Sequence, residues 1–110
     1  METKVLLITK VKFGEGSDEL GTILLKSYLS TLLEQNSFSH IILVNSGVKI
    51  ACNKASTIDD LKEISQQSKV LLCQTCLNYY ALDDKVEVGD KSNMKEISSL
   101  VDDAIKVVSI

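Results

Sequence analysis

The chain of 110 residues contains no proline, no tryptophan and no arginine. Each absence removes a class of function. Without proline there is no cis-proline to face a cysteine pair, as a thioredoxin-like site requires. All twelve basic residues are lysine, so there is no planar guanidinium fork to grip phosphate or guanine at two points. The lysines form no cluster either, and no nucleic-acid partner is expected. No apolar stretch approaches the roughly 18 residues of a membrane-spanning helix, so no membrane association is expected. The opening METKVLLITK has too short an apolar run, and no small-residue cleavage pattern, for a secretory signal. Three cysteines cannot all pair within one chain, unlike the even set of a disulfide-stapled secreted protein. These features point to the cytoplasm, where thiols stay reduced.

What is present suits one globular domain over residues 1–110. Apolar residues make up 45% of the chain and the net charge is −3. A chain of this size buries roughly 65% of its unfolded surface, enough for a core without staples. VLLIT (5–9), IILV (41–44) and VLLC (70–73) are continuous apolar runs, the mark of strands buried on both faces. KVVSI (106–110) reads as a last strand. Leu20, Ile23, Leu24, Tyr28, Leu29, Leu32 and Leu33 recur at helical spacing behind a Ser17 or Asp18 cap. Ile58, Leu61 and Ile64 give a short helix, and Leu77 to Leu82 gives about one and a half turns. Met94, Ile97, Leu100, Val101 and Ala104 give another helix, with Asn93 and Glu96 resembling a capping box. VKIAC (48–52) is open between a short strand and a helical turn. Parallel strands near 4–9, 40–45, 69–73 and 106–110 are therefore predicted, with helices near 18–35 and 93–104 covering the sheet.

In such sheets, chemistry collects at the carboxyl ends of the strands. FGEGSD, NSGVKIAC and CQTC all fall there. FGEGSDELG has neither Walker spacing nor a Lys-Ser/Thr ending, and its acidic residues would repel phosphate. It reads as a helix-capping loop. The remaining signal is KVLLCQTCLNYY (69–80), with Cys73 at a strand end and Cys76 in the first turn of a helix. The helix N-terminus favours a thiolate at Cys73, and Cys76 is spaced to attack a persulfide or mixed disulfide there. Inert packing of two small apolar residues is the plain alternative. Zinc would need four ligands. Cys52, Cys73, Cys76 and His40 supply the number, but His40 precedes its strand while Cys73 ends a parallel one, so no metal site is expected. Tyr79 and Tyr80 are expected to pack the short helix or to meet a neighbouring subunit.

Several strings together resemble a known family. LLITKVKFGEGSDELGTILLKSYLSTL, LVNSGVKIAC, LLCQTCLNYYAL, VGDKSNMKEI and the final KVVSI resemble the DsrE-like sulfur-relay proteins. The match is nearest to the C-terminal domain of YedF-type proteins linked to selenium metabolism. The resemblance implies a three-layer α/β/α sandwich with a mostly parallel, about five-stranded sheet and a homo-oligomer. It also implies a cysteine persulfide handed between proteins, the work of a sulfurtransferase-like carrier. Cys73 matches the relay cysteine and Cys76 the second cysteine of the YedF-like branch. Asn45, Ser46, Gly47 and Lys49 are expected to line the same pocket, with Lys49 favouring an anion and Cys52 within reach. The implied partner is a sulfur donor or acceptor protein, TusA-like or a cysteine desulfurase, and no cofactor is expected. The YedF-like branch commonly has glycine at the positions of Gln74 and Ala81. Gln74 is expected to narrow access to the thiols. A non-catalytic oligomeric assembly subunit is the alternative to the relay.

Overall fold

The computed structural model describes residues 2–110. In chain order the elements are β1 (Lys4–Ile8), α1 (Asp18–Gln35), β2 (His40–Leu43), a 3-10 helix (Asn45–Ala51), α2 (Ile58–Ile64), β3 (Lys69–Cys73), α3 (Gln74–Tyr79), β4 (Asp90–Ser92), α4 (Met94–Asp103) and β5 (Lys106–Ser109). The five strands form one sheet in the order β4-β3-β2-β1-β5, and every pairing is parallel. This is the expected α/β architecture. Right-handed crossovers put α1, α2 and α3 on one face, because β1 to β4 advance in one direction across the sheet. The return from β4 to β5 sends α4 across the other face.

The three central strands explain the continuous apolar runs. Val5, Leu6, Ile8, Ile41, Ile42, Leu43, Val70, Leu71 and Leu72 are all buried, which needs cover on both faces of the sheet. Each such side chain contributes about 1.5–3 kcal/mol by leaving water. The edge strands behave differently. KVVSI also reads as a strand, and β5 forms there, yet Val107 is 41% exposed. It lies beyond β1 with no further strand beside it. β4 is the polar triplet DKS, mostly exposed, and has no apolar signal to find.

Helix α1 begins where the sequence placed it. Ser17 Oγ accepts from the Leu20 N–H at 3.2 Å. The preceding loop folds back on the helix, with the Phe13 N–H bonded to the Gly21 carbonyl at 2.9 Å. Lys12 pairs with Glu15 and Asp18, and Lys10 with Glu15. The loop is thus an ion-paired helix entry. The buried stripe of α1 is Gly21, Leu25, Leu29 and Leu32, while Leu20, Ile23 and Leu24 are 53%, 57% and 42% exposed. The apolar residues of the first two turns therefore point both toward the sheet and away from it. At α4, Asn93 Oδ1 accepts from the Glu96 N–H at 2.9 Å. The Glu96 carboxylate accepts from Ser92 Oγ rather than closing the reciprocal half of a capping box. Among the described residues no helix is long and apolar enough to cross a membrane.

Candidate functional site

The site forms where β2 and β3, neighbours in the sheet, end side by side. The register pairs Leu43 with Leu72, so Val44 and Cys73 are the next positions outward. Beyond β2 the chain must turn at once, and Asn45 does so with φ +52. Asparagine reaches this left-handed region more readily than other side chains, because its short polar group can bond locally. A 3-10 turn follows, with the Gly47 N–H on the Val44 carbonyl at 2.9 Å. Gly47 sits hard against β1: a Cβ there would stand 2.2 Å from the Ile8 carbonyl oxygen.

Beyond β3, Cys73 caps α3. The helix runs from Gln74 to Tyr79, ahead of the Leu77 to Leu82 stretch that the apolar spacing marks. Cys73 Sγ accepts from the Cys76 N–H at 3.4 Å. Cys76 Sγ in turn accepts from the Asn45 N–H at 3.1 Å. Each sulfur therefore has one backbone donor aimed at it. The two differ in access: Cys73 is 3% exposed, whereas Cys76 is half-buried and lines an open cavity of about 400 Å³ with Asn45, Thr75, Tyr79 and Tyr80. Burial pushes the Cys76 thiol up from its ordinary value, and the neighbouring Cys73 thiol adds to this, while the Asn45 N–H pulls it down. All three cysteines carry free thiols.

Tyr80 divides this cavity from a second. Its hydroxyl donates to Asn45 Oδ1 at 2.7 Å, and Lys49 Nζ lies 4.5 Å from its ring centroid. The neighbouring cavity, about 350 Å³, is lined by Lys49, Cys52, Asn53, Ala55, Tyr80 and Leu82. Lys49 and Cys52 thus stand behind Tyr80, outside the cavity that Cys76 lines. The Cys52 thiol is buried, donates to the Val48 carbonyl at 3.2 Å, and is pushed up by burial and then by Glu87. Gly47 and Ser46 line neither cavity. Gly47 serves close packing on β1, and Ser46 is half-buried.

Other expected residues fall elsewhere. His40 pairs with Lys69 in the register, at the far end of the strands from Cys73. The Gln74 side chain turns away from the thiols, donating to Asn78 Oδ1 at 3.0 Å and Asp83 Oδ1 at 2.7 Å. Lys91 Nζ meets the same Asp83 oxygen at 2.7 Å, so Gln74 and Lys91 together tie the loop after α3 in place. Tyr79 is 82% exposed and stands edge-on to Tyr80, 5.2 Å between centroids. The tie from Tyr80 to Asn45 spans 35 residues, and no local spacing signals it.

No family model and no curated protein matches the chain. Solved structures do. The YchN protein from E. coli superposes with a TM-score of 0.71 at 16% identity, over 98% of this chain and 99% of that one. MTH1491 from Methanobacterium thermoautotrophicum, described as a protein of unknown function, gives 0.69 at 19% identity over 100% of both. The fold is the DsrE/YchN-like α/β fold. Identity this low carries the fold alone, and activity has to be argued from the thiols.

Proposed function

We propose that this chain is a small sulfur-carrying protein that takes a sulfane sulfur onto the Cys73–Cys76 pair and passes it to another protein. One observation supports this most: two adjacent thiols at the carboxyl ends of parallel strands each accept a backbone N–H, and one of them lines an open cavity. Preorganised N–H donors stabilise charge on sulfur as it develops. The resemblance assigns the carried sulfur to Cys73. Solvent access favours Cys76 as first acceptor and Cys73 as the second thiol.

In the step proposed, the Cys76 thiolate attacks the terminal sulfur of a donor persulfide. A new sulfur–sulfur bond forms, the donor's bond breaks, and the donor leaves as a thiolate. Cys73 can then attack the outer sulfur and take it over, or attack the inner one and release hydrosulfide with formation of a Cys73–Cys76 disulfide. Neither route needs an external oxidant. Selenium in place of sulfur is the variant that the resemblance to YedF-type proteins implies. A cysteine desulfurase or a TusA-like carrier fits the chemistry of the donor or acceptor, and the cytoplasm fits the reduced thiols.

A second reading, a non-catalytic assembly subunit, draws on two observations. Cys73 is buried and burial pushes Cys76 up, as inert packing would do. Leu20, Ile23 and Leu24 also form an exposed apolar stripe on α1, of the kind that marks contact between subunits. Homo-oligomerisation through this stripe is compatible with either reading. The deciding experiment is intact mass after incubation with a cysteine desulfurase and cysteine. A gain of one sulfur atom, reversed by reductant, lost in Cys76→Ser and retained in Cys73→Ser with slower release, is the expected result. No gain, with thiol labelling only after unfolding, sinks the relay and leaves assembly.

A further inference from the structure

We propose that Tyr80 is a positioning residue for the Cys76 sulfur, acting through Asn45. Its hydroxyl bond to Asn45 Oδ1 holds Asn45 in the turn that aims the Asn45 N–H at Cys76. The inference rests on the sulfur-carrying role of Cys76 and adds a residue that neither spacing nor motif assigns to it.

Three contacts form one connected chain. The Asn45 N–H donates to Cys76 Sγ at 3.1 Å, Tyr80 donates to Asn45 Oδ1 at 2.7 Å, and Lys49 Nζ sits 4.5 Å over the Tyr80 ring. Asn45 holds φ +52, a conformation whose cost must be offset by its surroundings. An amide side chain fixed at its oxygen has little freedom to swing, and the backbone to which it is attached is held with it. Tyr80 is itself fixed by the way α3 ends. The Leu82 N–H bonds to the Leu77 carbonyl at 2.8 Å and the Ala81 N–H to the Asn78 carbonyl at 3.2 Å, the paired closing bonds of a Schellman cap. The ring therefore projects from a closed helix end toward the 3-10 helix, and Lys49 on that helix covers one face of it. The titratable groups around the sulfur are Cys73, Tyr79 and Tyr80 from the α3 side and Lys49, behind Tyr80, from the 3-10 helix.

The consequence concerns how readily Cys76 gives up its proton. Burial and Cys73 work against the thiolate, and the Asn45 N–H works for it. Loosening Asn45 removes the favourable partner and leaves the unfavourable ones in place.

The test is Tyr80→Phe in the full chain, with no sulfur donor present, so that its outcome is independent of whether the protein carries sulfur. The rate of Cys76 alkylation by iodoacetamide, resolved by peptide mass mapping, is followed from about pH 6 to about pH 11, well past the ordinary thiol range. The midpoint should rise by about one pH unit, which makes labelling below the midpoint about tenfold slower. Asn45→Gly, which permits the turn but removes the tether, should shift the midpoint in the same direction. The double variant should be no slower than the slower single, because both act through one link. A merely packing role for Tyr80 predicts faster labelling at every pH with the midpoint unmoved. That result, or single effects that multiply in the double variant, overturns the proposal.

Discussion

Replacing Ala81 by glycine should stabilise this protein, against the usual cost of adding glycine. Ala81 is the residue after the C-cap of α3 and holds φ +55. The two closing bonds of the cap, Leu82 N–H to Leu77 carbonyl and Ala81 N–H to Asn78 carbonyl, require a left-handed residue at this position. A side chain with a Cβ pays about 1–2 kcal/mol to be there. Glycine pays little in the folded state, but its freer unfolded chain returns about 0.4–1 kcal/mol of that gain. Ala81 is exposed, so little packing is lost with its methyl. The balance is about 0.5–1 kcal/mol in favour of Ala81→Gly. For a domain of this size that is about 2–4 °C in Tm. Urea unfolding followed by circular dichroism, with m unchanged, is the assay that isolates the effect. A lower midpoint in Ala81→Gly would show that the methyl packs more than its exposure indicates, or that the cap does not form.

The remaining predictions concern packing, pH and assembly. Gly47→Ala should destabilise by about 1–3 kcal/mol, as overpacking does, because its Cβ would meet the Ile8 carbonyl oxygen at 2.2 Å; an unchanged urea midpoint would remove the close approach from the account. Stability should fall as pH rises into the alkaline range. Cys52 and Cys76 are both pushed up by burial, so the fold favours their neutral forms. Their contribution is fully present below the unfolded thiol value of about 8.5 and is lost as pH climbs through the folded values. A Cys52→Ala chain should lose part of this slope, and an identical slope would count against Cys52. Persulfide loading should accelerate over the same range as the Cys76 thiolate appears, and a pH-independent rate would point to another acceptor. Ile23→Glu, at a site 57% exposed, should lower the molar mass seen by light scattering while leaving the circular dichroism spectrum intact; an unchanged mass moves the subunit contact off α1.

The parallel sheet and its central strands were legible from VLLIT, IILV and VLLC alone, because only strands covered on both faces tolerate unbroken apolar runs. The start of α1 was legible because a hydroxyl side chain before an apolar stripe satisfies an orphan N–H. Cys73 at a strand end was legible as well, since position along a parallel strand also tells which edge of the sheet a residue reaches. β4 was not, for an edge triplet of Asp90, Lys91 and Ser92 buries too little to leave a hydrophobic trace. Nor was the split face of α1. Helical period marks which residues share a side, but it cannot tell a side that meets the sheet from one left exposed. The site itself divides the same way. Spacing brought Cys73 and Cys76 together because they are three residues apart. Only the tertiary fold decided that Cys76 faces the cavity, that Lys49 and Cys52 lie behind Tyr80, and that Asn45 supplies the donor. Those relations join the ends of different strands, and a sequence carries no record of distance between residues that the folded backbone alone makes neighbours.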